Sequence, residues 1–162
     1  MLHLIPAPLH RALLRVAHCL RKVWWRVCEP DLEGCRVLVL DGEGRLLLVR
    51  HSYLPGKWMP PGGGLGRGEA PLAGARRELL EETGCGIVDA RVLDCVRETL
   101  HGAGNMVHIV AGQTGDIPRP DMREIVEVHF FALDALPANL SAGLDEQIPC
   151  WVRMYRDQSS ES

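Results

Sequence analysis

Apolar positions change their period along this chain, and the changes divide it into elements. From Leu9 to Val27 they fall at Leu9, Leu13, Val16, Leu20, Trp24 and Val27, steps of three and four that line one face of a helix. The other face carries Arg11, Arg15, Arg21, Lys22 and Arg26. After Glu29-Pro30 the pattern becomes that of strands: Cys35 to Asp41 and Arg45 to Arg50 flank Gly42-Glu43-Gly44 and predict a β-hairpin. Further strands are predicted at Arg91 to Leu100, Asn105 to Gln113 and Ile125 to Leu133. Between the second and third strands, Pro71 to Thr83 reads as a helix with Leu72, Ala75 and Leu79 as its buried stripe. Pro71 suits a first helical turn, where its missing N–H costs nothing, and Gly84 suits the left-handed position after the last. The expected architecture is a mixed sheet with helices packed against it. Residues 1–29 would form a helical extension, 30–156 one domain, and 157–162 a polar tail that frays.

Composition agrees with a single domain. The chain has 162 residues, 46% hydrophobic and 24% charged, enough apolar material for a real core. A net charge of −3 without long runs of one sign offers no broad basic surface, so no nucleic-acid partner is expected. The basic N-terminal helix would suit an anionic membrane surface, but packing on its own domain, or on a second copy in a homodimer, is preferred. The six cysteines, Cys19, Cys28, Cys35, Cys85, Cys95 and Cys150, include no Cys-x-x-Cys pair and read as reduced thiols. Arg11 and Arg15 interrupt the first apolar run, unlike a secretory signal, and the remaining apolar runs are too short to span a bilayer. A cytoplasmic location is expected.

The chemistry lies on the predicted central helix. At about 100° per residue, Glu78, Glu81 and Glu82 share roughly a third of its circumference. Like charges on one patch repel, and acids near a helix C-terminus face the wrong end of the dipole. Arg76 and Arg77 offer partial compensation, and two or more hard divalent cations such as Mg²⁺ offer more. By itself this spacing is also that of a solvated acidic face. The wider pattern decides: Gly63, five residues, Glu69, seven residues, then Arg77-Glu78-Leu79-Leu80-Glu81-Glu82-Thr83-Gly84-Cys85. It resembles the Nudix box, G-x5-E-x7-R-E-U-x-E-E-x-G-U with U a bulky aliphatic residue, and departs from it only at Cys85, itself a small hydrophobe. Trp58 with Pro61-Gly62-Gly63, and Phe130-Phe131-Ala132-Leu133-Asp134-Ala135-Leu136-Pro137, extend the resemblance over Cys35 to Pro137.

The resemblance implies an α/β/α sandwich and Mg²⁺-dependent hydrolysis, with Mn²⁺ as an alternative. The bond cut would be the diphosphate of a nucleoside diphosphate linked to another group, a small-molecule nucleotide, with water attacking phosphorus. It places metal ligation on Glu78, Glu81 and Glu82 with the Gly63 carbonyl. The general base would be Glu81, Glu82 or a downstream acid, for which Glu124 is preferred to Glu127. In an extended segment their odd separation should turn the two carboxylates to opposite sides. Arg77 and Glu69 are expected to support the glutamates. Arg50, His51 and Lys57 precede the glycine loop and are candidates for substrate phosphates. His108, in an apolar strand, reads as a core or pocket histidine. P-loop, dinucleotide-binding and nucleophile-elbow motifs are missing from the sequence. The rival reading is a non-catalytic Nudix-fold nucleotide-binding or regulatory module. Val96 to Asn105 holds neither the proline expected of ADP-ribose hydrolases nor the tyrosine of dinucleoside polyphosphate hydrolases, which lowers both.

Overall fold

The computed structural model describes residues 32–54, 56–100 and 103–160. The N-terminal helix expected over Leu9 to Val27 lies outside them. Strands β1 (Leu32–Leu40) and β2 (Leu46–His51) form the expected hairpin, joined at the pair Leu40↔Leu46. Its turn is fixed by Asp41, whose Oδ1 accepts the amides of Glu43 and Arg45 at 3.0 and 2.9 Å.

Helix α1 (Pro71–Thr83) follows, then β3 (Val88–Leu100), β4 (Ala103–Gln113) and β5 (Ile125–Phe131), and helix α2 (Leu144–Ser160) comes last. The sheet order is β3-β4-β1-β2-β5. Strand β4 lies parallel to β1, while β2 runs antiparallel to β1 and β5, and β3 antiparallel to β4. The sheet is therefore mixed.

Alternation along the central strands feeds two cores, as expected of strands covered on both faces. Val37, Val39, Leu47 and Val49 pack with Ala75 and Leu79 of α1. Leu38, Leu40, Leu46 and Leu48 pack with Leu144, Ile148, Trp151, Val152 and Tyr155 of α2. Truncating a fully buried residue such as Leu79 to Ala would cost about 2–5 kcal/mol.

Two features depart from expectation. Helix α2 falls where the sequence pattern predicts no element, and it continues through Asp157–Ser160, whose polarity predicts a frayed tail. There Ser159 Oγ donates to the Tyr155 carbonyl at 2.9 Å. The second is a bulge in β5: Arg50 pairs with Glu127 but His51 with Ile125, leaving Val126 as an extra residue. Ile125 and Val128, three apart, consequently enter the same α1-side core. Among the described residues, no helix is long and apolar enough to cross a membrane.

Candidate active site

The glycine loop takes over β1 where β2 leaves it. Val37 donates its amide to the Pro61 carbonyl at 2.8 Å, Cys35 to Gly63 at 2.9 Å, and Leu65 donates back to Glu33 at 2.9 Å. Backbone packs directly on backbone here. At Gly62, φ is +147° and a Cβ would stand 2.2 Å from the Cys35 carbonyl oxygen, a position only glycine can fill. At Gly63 a Cβ would meet the Glu78 carboxylate at 2.7 Å.

Helix α1 approaches this loop with its acidic face. Its entry has no side-chain cap, with Pro71 in the first turn, and its exit is the left-handed Gly84, whose amide bonds to the Leu80 carbonyl at 2.9 Å. Glu82 is buried and accepts the Gly62 amide at 3.0 Å. Burial pushes its carboxyl well above the ordinary range, the Gly62 amide opposes this, and the charges of Glu124, Glu78 and Asp121 add to the rise. Glu78 is raised too, first by burial; Arg77 opposes this, while Glu81 and Glu124 reinforce it.

Arg77 is the hub of the site. Its Nε and Nη2 reach the two oxygens of Glu69 at 2.9 and 2.8 Å, Nη1 reaches Glu78 at 2.6 Å and Glu81 at 3.4 Å, and Nη2 also donates to the Gly64 carbonyl at 3.1 Å. The Gly66 amide completes Glu69 at 2.7 Å. Arg77, and then that amide, hold the Glu69 carboxyl down at about 2. One guanidinium thus fastens the loop to the helix.

The box glutamates are not equivalent. Glu82 turns inward to Gly62, Glu78 is half-buried against Arg77, and Glu81 is exposed. Among the described residues, no three His, Cys, Asp or Glu side chains are gathered closely enough to enclose a metal ion.

Glu124 stands near enough for its charge to raise both Glu78 and Glu82. Glu127 is placed elsewhere: it pairs with Arg50, whose guanidinium lies 5.6 Å from the centre of the Trp58 ring. Trp58 belongs to the α2-side core, so Arg50 works on the sheet face away from α1. His51 is buried, its ring 4.9 Å from that of Tyr53, and Lys57 is exposed. His108 is half-buried beside Cys35 and Cys95 in neighbouring strands. The structure adds Asp121 to these residues: its Oδ1 accepts the amides of Arg123, Glu124 and Ile125 at 3.0, 3.0 and 2.7 Å. An aspartate just before a strand is the usual sign of such a turn.

A family model described as NUDIX domain matches residues 32–151. The oxidized purine nucleoside triphosphate hydrolase of Danio rerio is 34% identical over 117 residues, 71% of this chain and 62% of that protein. A putative 8-oxo-dGTP diphosphatase 2 of Mycobacterium tuberculosis is 35% identical over 93 residues, 54% of this chain and 62% of that protein. The chain therefore aligns with less than two thirds of the length of either relative. Among solved structures, a MutT NUDIX hydrolase from Burkholderia pseudomallei superposes with a TM-score of 0.65 at 24% identity, covering 77% of this chain and 98% of that one.

Proposed function

The chain belongs to the Nudix family, and from that premise we propose that it is a pyrophosphohydrolase that cuts the diphosphate of a nucleoside diphosphate linked to another group. The observation that carries this reading is the charge left over on α1. Glu78 and Glu82 are held in or near the protein interior, with Glu124 close enough to raise both carboxyls, while the single positive charge of Arg77 is divided among Glu69, Glu78 and Glu81. Such a collection is costly unless a cation joins it.

The donor types suit a hard divalent cation, the carboxylates of Glu78, Glu81 and Glu82 with a carbonyl oxygen at Gly63 that keeps a lone pair beyond its bond to Cys35; to enclose one, the three side chains would turn from Arg77 and Gly62 toward a common point. Mg²⁺, or Mn²⁺ in its place, would neutralise the diphosphate and acidify a water there. The chain's own parts do the rest. Arg77 and Glu69 hold the loop and helix at fixed separation. The Gly62 amide orients Glu82. Glu124 takes the proton of the attacking water on its carboxylate as oxygen bonds to phosphorus and the bridging oxygen leaves with the other phosphate, with Glu81 and Glu82 as the competing bases.

Two relatives bear names of purine nucleotide hydrolases, which makes oxidised purine nucleoside triphosphates the first substrates to try. The test is Mg²⁺-dependent hydrolysis of 8-oxo-dGTP, dGTP, ADP-ribose, a dinucleoside polyphosphate and UDP-glucose, with products identified. Cleavage at a diphosphate bond supports the proposal, and silence across the panel would favour the non-catalytic binding module.

A further inference from the structure

Beside the box, the loop that carries Glu124 is held by one side chain. Asp121 gathers three successive amides, Arg123, Glu124 and Ile125, on Oδ1, and Glu124 again on Oδ2 at 3.2 Å. The same turn places Met122 in the left-handed region at φ +62° and returns its amide to the Ile125 carbonyl at 2.9 Å. Residues other than glycine and asparagine seldom adopt that backbone without being held. Just past β2, Ser52 grips the opposite side: its amide donates to the Glu124 carbonyl at 2.8 Å and its Oγ to the Arg123 carbonyl at 3.1 Å. The Glu124 backbone is thereby bonded at both N–H and C=O, and Ile125 next to it packs in one core with Leu79, the helix residue that follows Glu78, which leaves Glu124 within electrostatic reach of Glu78 and Glu82.

We propose that Asp121 is a positioning residue, which fixes the Glu124 carboxylate against the box glutamates by gathering the amides of residues 123–125. The inference rests on the reading of Glu124 as the group that takes the water proton. On Glu124, Asp121 acts through its acceptor oxygens, separately from the charge it adds near Glu82, so asparagine, which retains one acceptor, serves where alanine fails.

The test compares Asp121→Ala and Asp121→Asn in the full chain, each alone and combined with Glu124→Gln. Amide hydrogen exchange at residues 123–125 is followed without metal, and kcat and KM are followed on whichever nucleotide of the panel above is cleaved fastest. In Asp121→Ala, exchange at Glu124 and Ile125 should speed up at least about tenfold with the rest of the sheet unchanged. Its kcat should fall about tenfold or more at near-constant KM, and Asp121→Asn should recover most of both. With Glu124→Gln already present, Asp121→Ala should cost nothing further, because the two act as one unit. A normal kcat in Asp121→Ala, alongside an impaired Glu124→Gln, would overturn the positioning role while leaving the reading of Glu124 intact. Equal losses in Asp121→Ala and Asp121→Asn would overturn it as well, since charge would then be the operative property. A fully active Glu124→Gln would instead remove the reading beneath it.

Discussion

The carboxylate of Glu78 fills the space into which a side chain at Gly63 would grow, 2.7 Å from where a Cβ would stand. A carboxylate at the end of a flexible chain can step aside, whereas the Cys35 carbonyl that opposes Gly62 cannot. Gly63→Ala should therefore leave the thermal midpoint within about 3 °C of wild type, about 1 kcal/mol for a domain of this size, while kcat drops more than about tenfold through the displaced Glu78. Gly62→Ala should cost about 2–4 kcal/mol of stability. Melting curves and kcat for the pair decide it, and equal destabilisation would contradict the assignment.

Glu82 should make the metal-free protein weaker as pH rises. A buried carboxyl whose folded pKa is raised keeps a proton that the unfolded chain has already released, so stability is full below the ordinary carboxylate pKa and falls as pH rises through the folded one. Glu82→Gln in chelator should thus melt about 3 °C or more above wild type near pH 8, with the gap closing by about pH 4. Added Mg²⁺ should reverse the order, because binding stabilises the wild type. A Gln variant that melts below wild type in chelator at pH 8 would count against the burial argument.

Glu69 runs with the opposite sign. Its folded carboxyl lies at about 2, against an ordinary 4.5, so its contribution is present above the ordinary value and is lost as pH falls from there toward 2. Glu69→Gln should flatten that part of the acid melting profile. It should also lower kcat about tenfold by loosening Arg77. An acid limb identical to that of wild type would rule out the Arg77 bond as its source.

Among the acids, Glu81→Gln and Glu82→Gln should each lower kcat at least about 10²-fold with the fold intact. Glu124→Gln should lower kcat or weaken Mg²⁺ activation by more than about tenfold. Glu127→Gln breaks only the half-exposed pair with Arg50, worth about 1 kcal/mol or less, and should keep kcat within about threefold. A larger loss at Glu127 than at Glu124 would reverse their roles.

Much of this was legible because local chemistry and tertiary position agree. The α1 bounds follow from Pro71 and Gly84, and the hairpin from its glycine-flanked turn. Helix α2 was equally periodic at Leu144, Ile148, Trp151, Val152 and Tyr155, but Pro149 inside it masks the signal, since proline removes a helical N–H. Strand alternation, the basis for expecting Glu124 and Glu127 to face opposite sides, does not hold across the bulge. With Val126 inserted, residues three apart no longer point oppositely, and what separates the two acids is the Asp121 turn and the Arg50 pair. That Arg50 would turn to Glu127 and Trp58 depends on cross-strand register, which side-chain type does not reveal.

The spare residue at Val126 also governs how this chain can be compared with others. Offsets counted back from Phe130 hold only among chains that share the insertion. In one without it, the acid standing beside the box glutamates would sit one place nearer the aromatic pair, and an alignment that preserved spacing would select the wrong carboxylate. Equivalent acids before this strand are matched by the backbone bond that holds them, here the Ser52 amide on the Glu124 carbonyl, rather than by their distance along the chain.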